Sequence, residues 1–215
     1  MDFRRQLDII DPNMISYPVM LIGCGGIGSP TALVLGKIGC QDLTILDPDI
    51  VEAHNLPNQL FPLSDVDRPK VGAVGDMVIQ FTDCSVRAVP EEFDGSQELS
   101  GIVISGVDSM SARQTIWEAV KFNMDVPLYI DGRIGGEVIQ VFTVQPSQIE
   151  DVELYEKTLF PDEEAAQLPC TARAVMYVGF AIAGLIASQF KKWINNEQFF
   201  RKISFDLKTM TTVLK

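Results

Sequence analysis

The chain has 215 residues, 47% of them hydrophobic, a length and composition that suit one large domain or one domain with a small appendage. Its net charge of −12 and isoelectric point near 4.4 exclude a nucleic-acid binder held by phosphate contacts, because such domains are basic. Its four cysteines, Cys24, Cys40, Cys84 and Cys170, form no C-x-x-C pair, which argues against a structural zinc site.

The N-terminal MDFRRQLDIIDPNM lacks the apolar run of a signal peptide, so the expected setting is the cytoplasm with reduced thiols. VMLI, residues 19–22, predicts a short buried strand ending at Gly23. A helix is expected from Ser29 to Ile38, closed by Gly39. LTIL, residues 43–46, predicts a second buried strand ending at Asp47, which completes a β-α-β unit. The proline-rich connection after it is too long for an ordinary turn. A helix from about Lys70 to Phe81, a strand at SVRAV and a strand at residues 101–105 follow. Next come a helix over about Ser111 to Asn123, a strand at PLYI and the glycine-rich loop DGRIGGE. VIQVFTV predicts an antiparallel strand leaving the parallel sheet. Residues 146–170 are acidic and expected to be irregular. Residues 174–190 are almost wholly apolar but short for a membrane span and hold Tyr177, Ser188 and Gln189, so a buried helix is expected. ISFDL closes the series as a final strand. The sum is an α/β, Rossmann-like, mostly parallel sheet with helices on both faces, ending in antiparallel strands.

The chemistry starts at GCGGIGS. Gly23, Gly25 and Gly28, with Gly26 between, stand between a predicted strand and a predicted helix, the context that a nucleotide-binding turn requires. The helix N-terminus favours anionic oxygens. Asp47, at the end of the second strand, can accept hydrogen bonds from ribose hydroxyls. These features alone leave NAD, FAD and ATP open.

The residues after Asp47 carry a more specific signal. GCGGIGS, LDPDIV, NLPNQ, RPKV and SGVDS occur in that order, followed by CTARAVMYVGFAIAGLIAS. This series resembles the adenylating domain shared by ThiF, MoeB and the ubiquitin-activating enzymes, from about Arg4 to the end of the apolar helix, and residues 1–215 are expected to form one such domain. The resemblance implies ATP and Mg²⁺, and adenylation of the C-terminal carboxylate of a small ubiquitin-like or sulfur-carrier β-grasp protein. It assigns Lys70, Asn55 and Gln59 to the phosphates, Asp108 to the metal, and Arg5 of FRRQ to the ATP of a neighbouring subunit in a homodimer. Such chemistry concentrates negative charge on phosphates, so it calls for cations and oriented donors rather than an acid–base pair; His54, the sole histidine, is expected to be a loop residue.

One position departs from the family pattern. Asn58 stands where N-L-x-R-Q has an arginine, and an amide cannot supply that charge. Arg133 in DGRIGGE is the expected compensating cation. Cys170, before Thr171, matches the family cysteine that in one branch takes the activated tail as a thioester for a conjugating enzyme. Two alternatives remain: a non-catalytic scaffold that binds a β-grasp partner, and adenylation of a small molecule or peptide.

Overall fold

A computed structural model of the chain describes residues 1–161 and 175–215. Eight strands form one sheet in the order β3-β2-β1-β4-β5-β6-β7-β8. The first five are β1 (Val19–Ile22), β2 (Asp42–Leu46), β3 (Ser85–Val89), β4 (Ile102–Ser105) and β5 (Leu128–Gly135), and their mutual pairings are all parallel. The last three, β6 (Val138–Val144), β7 (Lys202–Asp206) and β8 (Thr211–Leu214), pair antiparallel. Five α-helices accompany them among the described residues: α1 (Gly28–Ile38), α2 (Lys70–Phe81), α3 (Met110–Val120), α4 (Ile149–Glu156) and α5 (Met176–Ile194).

The central strands are apolar on both faces, and the two faces feed two cores. Leu21, Ile45, Ile104, Ile130 and Val141 pack beneath α1, α2 and α5. Ile22, Leu46, Val103, Tyr129 and Phe142 alternate with them and pack against Ile116 and Trp117 of α3 and Val152 and Tyr155 of α4. A strand with a helix layer on each side must read as a continuous apolar run, as VMLI and IVIS do. The expected α/β sandwich is therefore observed, with antiparallel strands at its end.

Local chemistry sets the element ends. Gly39 closes α1 in the left-handed region, φ 109°, and its amide bonds to the Gly36 carbonyl. Ser109 caps α3 by accepting a hydrogen bond from the Ala112 amide. That helix stops at Val120, short of the expected Asn123, because Lys121 turns extended and Phe122 takes a positive φ of 59°.

Three expectations need correction. The DGRIGGE segment is not a loop: Asp131 to Gly135 continue β5 and pair with Phe142 to Val138 of β6, the reversal being made at Gly136 with φ 62°. The acidic stretch 146–170 contains α4, whose first turn carries Glu150 and Asp151, where carboxylates favour the positive end of the helix dipole. A further strand, β8, follows ISFDL. The apolar stretch forms α5, buried at Val178, Ile182, Ile186 and Phe190, and no described helix is long and apolar enough to cross a membrane.

Candidate functional site

The parallel strands deliver their loops to one edge of the sheet. β1 lies between β2 and β4, so Gly23, Asp47 and the Gly106–Asp108 loop emerge side by side at the carboxyl ends of three adjacent strands. The chain order reverses there, and open α/β sheets bind ligands at that crevice.

The glycine turn is built by close backbone contact. Gly23 has φ 93°, and its amide donates to the Leu46 carbonyl at 2.8 Å. A Cβ on Gly28 would lie 1.8 Å from the Gly23 carbonyl oxygen, so only glycine allows the helix to start this tightly. A Cβ on Gly23 would meet the Gly106 backbone at 2.9 Å, which shows how closely the post-β4 loop abuts the turn. Asp47 pins the arrangement: Oδ2 accepts the Cys24 amide at 2.6 Å and Oδ1 the Asp49 amide at 2.9 Å. Burial pushes the Asp47 pKa up, and these two amides together with Lys70 oppose it only in part. Cys24 is fully buried within the turn, and burial drives its thiol well above the ordinary range, which makes it a packing residue. Cys40 and Cys84 are likewise buried.

The long connection after Asp47 folds back across this turn. The Leu60 amide donates to Ser29 Oγ at 3.0 Å. The Asn58 carbonyl oxygen stands 2.9 Å from where a Cβ on Gly26 would be, and Gln59 Nε2 stands 3.7 Å from the same point on Gly25. Asn55 is buried and spends Oδ1 on the Glu52 amide in a capping box. Lys70 opens α2, is nearly buried, and places Nζ 2.7 Å from Asp49 Oδ2. His54 is exposed, with Nδ1 3.0 Å from Glu52 Oε2.

This cradle has the donors that a phosphate chain needs. Among the described residues the amides of Gly25, Gly26 and Ile27 donate to no acceptor, and they open the first turn of α1. The side-chain oxygens Asn58 Oδ1 and Gln59 Oε1, which accept rather than donate, are also buried without a partner. Free amides at a helix N-terminus with a lysine alongside match the chemistry of a nucleotide triphosphate. Asp108 is exposed, one residue before the α3 cap, and makes no ion pair among the described residues. One carboxylate together with substrate phosphates is the usual way to hold Mg²⁺.

Neither of the two sequence-predicted arginines hydrogen-bonds to the glycine turn among the described residues. Arg5 is exposed in the N-terminal segment, whereas its neighbour Arg4 pairs with Asp2. Arg133 is engaged on all three nitrogens: Nε on Asp131 at 2.7 Å, Nη1 on the Thr158 carbonyl at 2.9 Å and Nη2 on Thr158 Oγ1 at 3.0 Å. Its guanidinium also stacks over Phe142 at 4.3 Å. To reach a phosphate it would have to give up these bonds. Cys170 lies outside the described residues.

Sequence reasoning passed over three groups that matter to this geometry. Asp49, the second acid of DPD, holds Lys70. Arg113, five residues after Asp108, is buried on Asp131 at 2.8 Å. Asp131 itself was in view within DGRIGGE, but no periodicity distinguishes a buried acid from a loop acid.

A family model described as ThiF family matches residues 13–213. The sulfur carrier protein ThiS adenylyltransferase of Escherichia coli K12 is 29% identical over 190 residues, covering 82% of this chain and 73% of that protein. The SAMP-activating enzyme E1 of Haloferax volcanii is 30% identical over 122 residues, or 54% of this chain and 45% of that protein. Among solved structures, E. coli MccB with ATP shares the fold at a TM-score of 0.73 and 18% identity, covering 95% of this chain and 65% of that one.

Proposed function

The chain belongs to the ThiF family, and on the free amides of its glycine turn we propose that it is an adenylyltransferase that binds MgATP and activates a carboxylate. The carboxylate attacks the α-phosphate, giving an acyl-adenylate and pyrophosphate. The amides of Gly25, Gly26 and Ile27, Lys70, and the side-chain amides of Asn55 and Gln59 receive the phosphates. Asp47 takes the ribose through the lone pairs that its two backbone bonds leave over. Asp108 holds Mg²⁺ with the phosphates. The charge these groups stabilise develops only as the α-phosphate is attacked, which is where preorganised donors are worth most.

The substrate is the C-terminal tail of a small ubiquitin-like or sulfur-carrier β-grasp protein. The likeness to the ThiS adenylyltransferase over most of both chains supports this reading. Arg5 reaches the ATP of a second copy in a homodimer, and Cys170 takes the activated tail as a thioester for a conjugating enzyme.

ATP–pyrophosphate exchange tests the first step and AMP release with a Gly-Gly-ending partner the second. Exchange with AMP release and a reducible adduct lost in Cys170→Ala supports the full reading. AMP without an adduct confines the activity to adenylation. Exchange driven by a peptide but by no β-grasp protein moves the substrate to peptides. Absence of exchange with every partner leaves a binding scaffold, the outcome that Asn58 in place of arginine would explain.

A further inference from the structure

Asp131 lies fully buried on β5 and binds three groups from three elements. Oδ1 accepts Nε of Arg113 at 2.8 Å. Oδ2 accepts Nε of Arg133 at 2.7 Å and the Tyr155 hydroxyl at 2.9 Å. Each arginine then reaches onward. Arg113 donates Nη1 to the Ser109 carbonyl at 3.1 Å and Nη2 to the Val107 carbonyl at 2.6 Å, the two residues that flank Asp108. Arg133 donates to both oxygens of Thr158, just beyond α4, and Thr158 Oγ1 donates in turn to the Tyr155 carbonyl at 2.7 Å. The planar fork of each guanidinium matters here, because one set of nitrogens holds the carboxylate while the others hold backbone at a fixed angle to it.

The geometry points to Asp131 as a positioning residue that couples the loop carrying Asp108 to the end of α4, so that the acid beside the nucleotide turn is fixed by what happens at Thr158. The functional half of this inference rests on the adenylation reading. The mechanical half does not, because it concerns only how two backbone segments share one buried carboxylate. Burying two cations and one anion is costly, and hydrophobic replacements often serve stability as well or better. A network kept under that cost and connected to two separate segments fits a role in position.

A local brace and a coupling device predict different results. In a brace, Arg133 steadies Thr158 and nothing more. In a coupling device, removing Arg133 also loosens residues 106–109, which it does not touch, because Asp131 loses one of the partners that orient it for Arg113. Amide hydrogen exchange on the full chain, read over peptides spanning 106–112 and 155–160, separates the two. Arg133→Gln and Thr158→Val are both expected to speed exchange across 106–109 by about fivefold or more. Thr158→Val removes one hydroxyl, an acceptor for Arg133 and a donor to the Tyr155 carbonyl, at a partly exposed site, and decides the matter if Arg133→Gln folds poorly. Unchanged protection of 106–109 in the variants that fold overturns the proposal.

Pyrophosphate exchange supplies the second readout. Arg133→Gln should raise the Mg²⁺ concentration for half-maximal exchange by about fivefold while the KM for ATP stays within about twofold, and Arg133→Lys should restore part of it. An equal rise in both constants counts against positioning through Asp108. If the native chain shows no exchange, the adenylation reading fails and hydrogen exchange still decides the coupling.

Discussion

Two polar clusters flank the same sheet and are finished in opposite ways. Around the glycine turn, three amides and the side-chain oxygens of Asn58 and Gln59 have no partner among the described residues, and Lys70 leans on an exposed acid. Around Asp131 every charged nitrogen and oxygen is engaged, at 2.6 to 3.4 Å, within a nearly closed core. An unsatisfied cluster at a sheet's carboxyl edge has capacity left for a ligand. A satisfied one has none and can only hold its neighbours. The contrast assigns binding to the first and support to the second.

The sharpest way to break that contrast is to remove the shared anion. Asp131→Ala leaves the buried Arg113 and the partly buried Arg133 without their carboxylate and should cost about 3–5 kcal/mol of unfolding free energy, measured by urea denaturation. A loss below about 1 kcal/mol would mean that solvent already reaches the cluster. Gly28→Ala should cost about 3 kcal/mol, the upper end for overpacking, because the clash is with the Gly23 carbonyl rather than a movable side chain; binding of a non-hydrolysable ATP analogue should vanish with it.

Lys70→Ala sharpens the other side of the comparison. Its partner Asp49 is largely exposed, so the thermal midpoint should move little, whereas pyrophosphate exchange should fall about a hundredfold, the effect of removing one preorganised donor to developing charge. A variant that lost stability but kept its exchange rate would place Lys70 with the supporting cluster instead.

The smallest effect is one of pH. Burial alone would raise the Asp131 pKa, but Arg113 and Arg133 outweigh it and hold the carboxyl below the ordinary aspartate range. Its folded pKa therefore lies below the unfolded one of about 3.9, so its stabilisation is complete above that value and is lost as pH falls through the folded pKa. The stability difference between the native chain and Asp131→Asn should be flat from neutrality to about pH 5 and shrink only in stronger acid. A difference that begins to fall at pH 6 would point to a different titrating group.

Much of the fold was legible in the sequence because its strands are short apolar runs and its helices are punctuated by glycine and proline. Lys70 to Phe81 and Ser85 to Val89 lie where the pattern puts them. The failures share a cause. DGRIGGE has a loop's composition, yet β6 supplies it with hydrogen-bond partners, and pairing between strands overrides local preference. α4 is acidic and weakly amphipathic, and it becomes a helix by packing Val152 and Tyr155 onto the second core.

By itself the sequence determined the glycine turn, the order of the motifs and hence the ThiF family, because these depend on residue type at fixed spacing. Only the tertiary structure decided how each charge is engaged. Arg133 and Lys70 are equally cationic on paper. Arg133 is spent on the buried Asp131, two residues away on β5, and on Thr158 beyond α4, whereas Lys70 pairs with the exposed Asp49 at the mouth of the glycine turn. Thr158 lies 25 residues from Arg133 and Asp49 lies 21 from Lys70, and only the packed fold brings such distant partners to a charge.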